Sequence, residues 1–246
     1  VRVLRKIDIR VFLVLLIFFI LQTLLLASSY SSELSYKIQY MIGNRQAKEL
    51  DALLKSINYE ELSPDEKGDI VIAYTELYSW GGMGYNYSEK AYQLAEKIVK
   101  DYPSFWKGYY CMALVLSHRV QKNNLLALTL TSKIDYNLDM AVKYGRDQWL
   151  PHFLAAIRYI EVPIFPDLER GEALLKRSIE LEPNHVYSYF VYGKLYERKG
   201  KYCEAVEMYK KALSLPTRPE WKIVDEDAKK DAKQRLAEVE KKCTKK

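Results

Sequence analysis

Apolar and polar positions divide the chain into two unlike parts. Val11–Ala27, VFLVLLIFFILQTLLLA, has no period, and only Gln22 and Thr23 interrupt it. From about residue 31 onward, apolar residues return every three or four positions, the spacing of amphipathic helices. SSELSYKIQYMIG, NRQAKELDALLKSIN, SEKAYQLAEKIVKDYP, SFWKGYYCMALVLSH, SKIDYNLDMAVKYG, WLPHFLAAIRYIE and EDAKKDAKQRLAEVEKKC all follow it. DIVIAYTELYSW begins β-branched, so a strand is possible there beside a helix.

YSWGGMGYNYSEKA, Tyr78–Ala91, sets three glycines between two such runs. A phosphate-binding loop needs a Gly-Lys-Ser/Thr ending, and a dinucleotide loop needs a third glycine where Tyr87 stands. Neither pattern is met. The segment Gly81–Tyr87 therefore reads as a long irregular turn between two helices, its glycines permitting positive φ.

The strongest pattern is VYSYFVYGKLYERKGKYCEAVEMYKKALSL, Val186–Leu215. Small residues stand at Gly193, Ala205 and Ala212, and large ones at Tyr189, Tyr192, Tyr196, Tyr202 and Tyr209, with Gly200 between two helices. Small residues let the helices of a hairpin approach, and large ones fill the space to the next hairpin. This unit resembles the tetratricopeptide repeat (TPR). Weaker copies precede it. One joins Ala156 and Tyr159 to Leu175, Ser178, Ile179, Leu181 and Pro183. Another joins Tyr109, Met112, Ala113 and Leu116 to Leu138 and Ala141. The earliest carries Ala91, Ala95 and Pro103. VQKNNLLALTLT is an insertion of further helical turns within the second copy.

The fold class expected is all-α: a right-handed superhelix of about four TPR-like hairpins with N- and C-terminal capping helices. The organisation read from the chain is an address segment (1–29), capping helices (30–68), repeats (69–217), and a capping helix with a basic tail (218–246). The last hairpin of a solenoid cannot bury its apolar face alone, hence the cap. Its helix has Ala228, Ala232, Leu236 and Val239 on one face.

The address segment starts with Arg2, Arg5, Lys6 and Arg10, continues with the apolar run and exits through ASSYSS. That order describes a secretory signal. Uncleaved, residues 11–27 form a membrane anchor near the lower length limit for a span. Either way the remainder is expected outside the cytoplasm, periplasmic or extracytoplasmic.

Charge changes little. Of the net +6, half belongs to residues 1–29, with four basic and one acidic side chain. The rest mixes both signs, so no nucleic-acid partner is expected. Twenty-one tyrosines against seven phenylalanines suit thin helical layers, where a ring is half buried and its hydroxyl meets water. Cys111 sits on an apolar face and reads as a small buried hydrophobe. Cys203 and Cys243 could pair in an oxidising compartment, although an odd cysteine count and their separation speak against it. His118, His152 and His185 fit no metal spacing, and His185, after Pro183-Asn184, reads as a surface turn residue. No catalytic residue, metal site or cofactor is expected, and the chain reads as a non-enzyme.

The resemblance implies that the first helix of each hairpin lines a concave groove. Carried over position by position, the groove residues are Tyr110 and Leu114 in the second unit, Phe153, Ile157 and Ile160 in the third, and Tyr187, Phe190, Lys194 and Arg198 in the last. Groove position nine reads Glu76, Leu114, Ile157 and Lys194, without the Asn of a carboxylate clamp. The implied function is an exported scaffold that binds a protein partner through an apolar and aromatic groove. A narrower likeness is an alternative. The helical insertion and IEVPIFPDLERGEALLKRSIEL are similar to TatT-like proteins, periplasmic components associated with TRAP-type transporters, which implies an apolar small-molecule ligand in a pore. Pro166-Asp167 stands where that family often has paired glycines, and no cysteine follows the apolar run.

Overall fold

The computed structural model describes residues 32–162 and 166–244. The signal or anchor read at 1–29 lies outside the described residues. Eleven α-helices follow one another, with no strand among the described residues. They are α1 (Glu33–Gly43), α2 (Ala47–Ser56), α3 (Pro64–Ser79), α4 (Tyr85–Asp101), α5 (Trp106–Lys122), α6 (Ala127–Tyr144), α7 (Trp149–Glu161), α8 (Leu168–Leu181), α9 (Val186–Arg198), α10 (Tyr202–Ser214) and α11 (Lys222–Cys243). The β-branched start of Ile70–Tyr78 lies inside α3, so the strand option there falls away.

Local chemistry sets the helix ends. Ser63 opens α3 with a capping box. Its hydroxyl accepts from Glu66 N at 3.3 Å, and the Glu66 carboxylate accepts from Ser63 N at 2.9 Å. Pro64 takes the first helical position, where its missing N–H costs nothing. The glycine segment is shorter than the sequence suggested: α4 starts at Tyr85, so Tyr85–Tyr87 are helical and only Trp80–Gly84 turn. Gly82 has φ +75° there, and Gly200 has φ +70° between α9 and α10. The insertion lengthens α5 and α6 and joins them through a 3-10 turn at Asn124–Leu126.

The helices pack as four hairpins, α3/α4, α5/α6, α7/α8 and α9/α10. Each first helix also touches the next first helix: α3 touches α5, α5 touches α7, and α7 touches α9. The helix α11 continues this series by packing on α9 and α10, in the place a fifth first helix would take. Its buried Ala228, Ala232 and Val239 give the last hairpin a partner. Cys203 at the start of α10 and Cys243 at the end of α11 form a disulfide. Arg218, ahead of α11, makes a two-pronged ion pair with buried Asp225, at 2.7 and 3.0 Å.

The first described helix does something a linear solenoid does not. α1 packs on α3 and, at its C-terminal end, against the 3-10 turn Pro219–Trp221 and α11. Asn44 Nδ2 donates to Pro219 O at 3.1 Å, and Arg45 pairs with Asp227 at 2.7 Å. A Cβ at Gly43 would lie 2.7 Å from the Trp221 Cα, so only glycine allows this approach. Trp221 packs into the same apolar cluster as Ile38 and Ile42 of α1.

Candidate functional site

The first helices of the hairpins, with α11, define the surface on which the groove residues were expected. The structure divides those residues into three groups.

Tyr110 and Leu114 belong to the large N-terminal core, together with Ile38 and Ile42 of α1. Both are buried. Beside them lies a buried polar knot. Lys107 Nζ reaches Asp69 at 2.7 Å and Asp65 at 3.1 Å. Ser35 of α1 donates its hydroxyl to Asp69 at 2.5 Å. Burial pushes the Asp69 carboxyl up, against the pull of Lys107. Burial pushes Lys107 down, but Asp69 and Asp65 outweigh it and hold the ammonium above its ordinary value. Gly68 is the reason Lys107 fits, since a Cβ there would meet the lysine stem at 2.6 Å.

Phe153, Tyr187 and Phe190 form an aromatic row. Phe153 meets Tyr187 edge-on at 5.7 Å, and Tyr187 stacks on Phe190 at 5.6 Å. Trp149 and His185 extend the row, with His185 4.4 Å from Trp149 and 4.7 Å from Phe153. His185 is therefore not a surface turn residue. Two rings from α7 enclose it, and its Nδ1 lies 2.7 Å from Ser188 Oγ. Burial, and then the charge of Arg218, bring its pKa down to about 3, so it is neutral near pH 7. Ile157 packs half-buried against the neighbouring cluster. Phe153 lies in that cluster too, and Phe190 in the one beneath α11.

Ile160, Lys194 and Arg198 meet at the C-terminal ends of α7 and α9. With Glu161, Glu197 and Arg235 of α11 they line an open recess of about 400 Å³. Lys194 pairs with Glu161 at 2.6 Å, and Arg235 pairs with Glu197 at 3.3 Å. Arg198 donates to the carbonyls of Ile160 and Val162, which the end of α7 leaves without helical partners. Three cations against two carboxylates leave the recess with a small positive excess. Arg235 was not among the expected residues, because α11 lies outside the repeat register.

The other two histidines stay apart. His152 is buried, its Nε2 3.0 Å from Arg146 O, and burial lowers its pKa. His118 lies 3.9 Å from Glu76. Among the described residues no three His, Cys, Asp or Glu side chains converge as a metal site. Cys111 is buried, as its apolar face suggested.

Residues 174–207, from α8 into α10, match the family model described as "Tetratricopeptide repeat". The match runs from the second helix of one hairpin through the first helix of the next. No curated protein matches the chain. Among solved structures, a thermophilic TPR protein of Thermus thermophilus superposes with TM-score 0.58 at 16% identity, covering 83% of this chain and 98% of its own. Yeast Tom70 superposes with TM-score 0.52 at 15% identity, covering 88% of this chain and 42% of Tom70. These likenesses show the all-α helical solenoid fold.

Proposed function

We propose that the chain is an exported, non-catalytic scaffold that binds a protein partner through the C-terminal half of its concave surface. The observation that carries this reading is the recess lined by Lys194, Glu197, Arg198 and Arg235. It is open and lined by both charges, whereas Tyr110, Leu114, Phe153 and Phe190 are already covered by protein. A partner segment would find charged groups in the recess and the half-buried Ile157 and Tyr187 on the same surface. Export is supported by the basic start and apolar run at 1–29 and by the Cys203–Cys243 disulfide, which suits an oxidising compartment. The periplasmic apolar-ligand carrier associated with TRAP-type transporters is not taken up. The residues expected to line its pore, Tyr110, Leu114, Phe153 and Phe190, are buried against protein.

The test is affinity capture from native membranes with the full chain and with Arg235→Glu. Arg235 is substantially exposed, so the fold should tolerate the change. Reversing a charge at a contact should weaken capture of a specific partner by roughly tenfold or more. An unchanged partner set with a folded variant would overturn the reading.

A further inference from the structure

The junction of α5 and α6 carries a feature that the concave recess does not use. Where the insertion joins α5 to α6, Leu125 is 77% exposed and Leu128 90% exposed. A single exposed leucine is ordinary, whereas two neighbouring ones at one turn make a small apolar patch. They are not the rim of a core: α6 buries Ile134, Asn137, Leu138 and Ala141 on its other side.

Their surroundings have one chemical character. No acidic residue occurs between Asp101 and Asp135, a stretch that includes all of α5, the turn and the start of α6. Lys122 and Lys133 flank the leucines, and neither has a carboxylate partner among the described residues. Each instead meets a tyrosine: Lys122 lies 5.8 Å from the Tyr78 ring, and Lys133 donates to the Tyr92 hydroxyl with its ammonium 4.8 Å from that ring. Arg119, by contrast, is held by Glu89. Tyr85, 56% exposed, lies beneath the Arg119 guanidinium near the end of α5, 5.0 Å from it.

We infer that this tip is a lipid-surface contact, in which Leu125 and Leu128 enter the acyl boundary of an anionic bilayer. Lys122 and Lys133 then meet lipid phosphates, and the exposed Tyr85 lies at headgroup level. Shape separates this occupant from a protein. The leucines are held out almost wholly in water at a turn and a helix start, so a protein partner would have to supply most of the pocket around them. A fluid bilayer conforms to protruding side chains. The contact is superficial, since no described helix is long and apolar enough to cross a membrane. It does not depend on the role of residues 11–27, nor on the partner proposed for the recess.

The experiment uses the full chain with a bimane label on Leu128→Cys. Cys111 is buried and Cys203 and Cys243 are paired, so the new thiol is the one that reacts. A label on the exposed Glu207→Cys of α10 is the control. Both proteins are reconstituted with phosphatidylcholine vesicles, with and without phosphatidylglycerol, containing nitroxide-labelled lipid. The expected result is strong quenching at position 128 with phosphatidylglycerol, weak quenching at position 207, and loss of the difference in Lys122→Gln/Lys133→Gln. Two cations near an anionic surface account for about a thirtyfold change in the docking equilibrium. Equal quenching at both positions, or none at 128, would overturn the inference. So would disulfide crosslinks between 128 thiols of two copies in the absence of lipid, which would assign the tip to self-association.

Discussion

The ring of Tyr209 lies flat against the backbone of Gly193, so that a Cβ at 193 would sit 2.3 Å from the tyrosine Cε1. This contact closes the α9/α10 hairpin. Tyr209 is fully buried, so its ring has nowhere to retreat. Gly193→Ala should therefore destabilise the protein by about 1–3 kcal/mol through overpacking, despite the higher helix propensity of alanine. Denaturant melts would check this, and a gain in stability would show that the hairpin contact is looser than described.

That pair was legible in the sequence, because small and large residues at fixed repeat positions imply close approach. The same logic located α3 through α10 and the face of α11. It did not reveal how α1 meets the turn ahead of α11. A repeat pattern specifies contacts between neighbours, whereas the Gly43–Trp221 approach joins residues far apart in sequence. The burial of His185 was hidden for a related reason. Its enclosure comes from Trp149 and Phe153 in the preceding hairpin, and Pro183-Asn184 before it signals only a turn. The recess was half legible: Ile160, Lys194 and Arg198 followed from the register, while Arg235 belongs to a helix without one.

The Lys107–Asp69 pair makes a prediction of the opposite kind to Gly193. Both side chains are nearly sealed from water, and their neighbours Asp65 and Ser35 supply the remaining bonds. Lys107→Met should leave Asp69 buried without its counter-ion and cost about 3–5 kcal/mol. The double variant Lys107→Met/Asp69→Leu should recover much of that loss. Equal stability of the single and double variants would show that the charge pairing is unimportant.

Acid should unfold the protein in two stages. The folded pKa of His185, about 3, lies below its ordinary 6.5, so the unfolded chain binds the extra proton first. Its contribution is fully present above pH 6.5 and is lost as pH falls toward 3. At Glu172, burial raises the pKa, but bonds from Lys176, Lys199 and Tyr192 outweigh it and bring it from 4.5 to about 2. Its contribution is present above pH 4.5 and is lost between there and about 2. Stability measured against pH should thus begin to fall below pH 6.5 and steepen below 4.5. His185→Gln should flatten the first limb and Glu172→Gln the second. An unchanged first limb in His185→Gln would mean that the imidazole is not buried neutral.

The closure of the chain on itself should change how it opens. In a linear solenoid each end frays alone, because its stability comes from one neighbour. Here α1 is held at its start by Ser35 on Asp69 and at its end by Trp221, Asn44 and Arg45. Arg45 occupies a left-handed conformation, φ +50°, to make the turn out of α1, and that conformation disfavours a side chain. The exposed Arg45–Asp227 pair offsets little of this cost, so the apolar seat of Trp221 must carry the clasp. Trp221→Ala should cost about 3–5 kcal/mol if the seat were fully buried, and somewhat less for this partly exposed ring. More telling is where the loss appears. Amide hydrogen exchange should quicken in α1 as well as at the start of α11, while α7 stays protected. Faster exchange confined to α11 would show that the two ends of the solenoid fold independently.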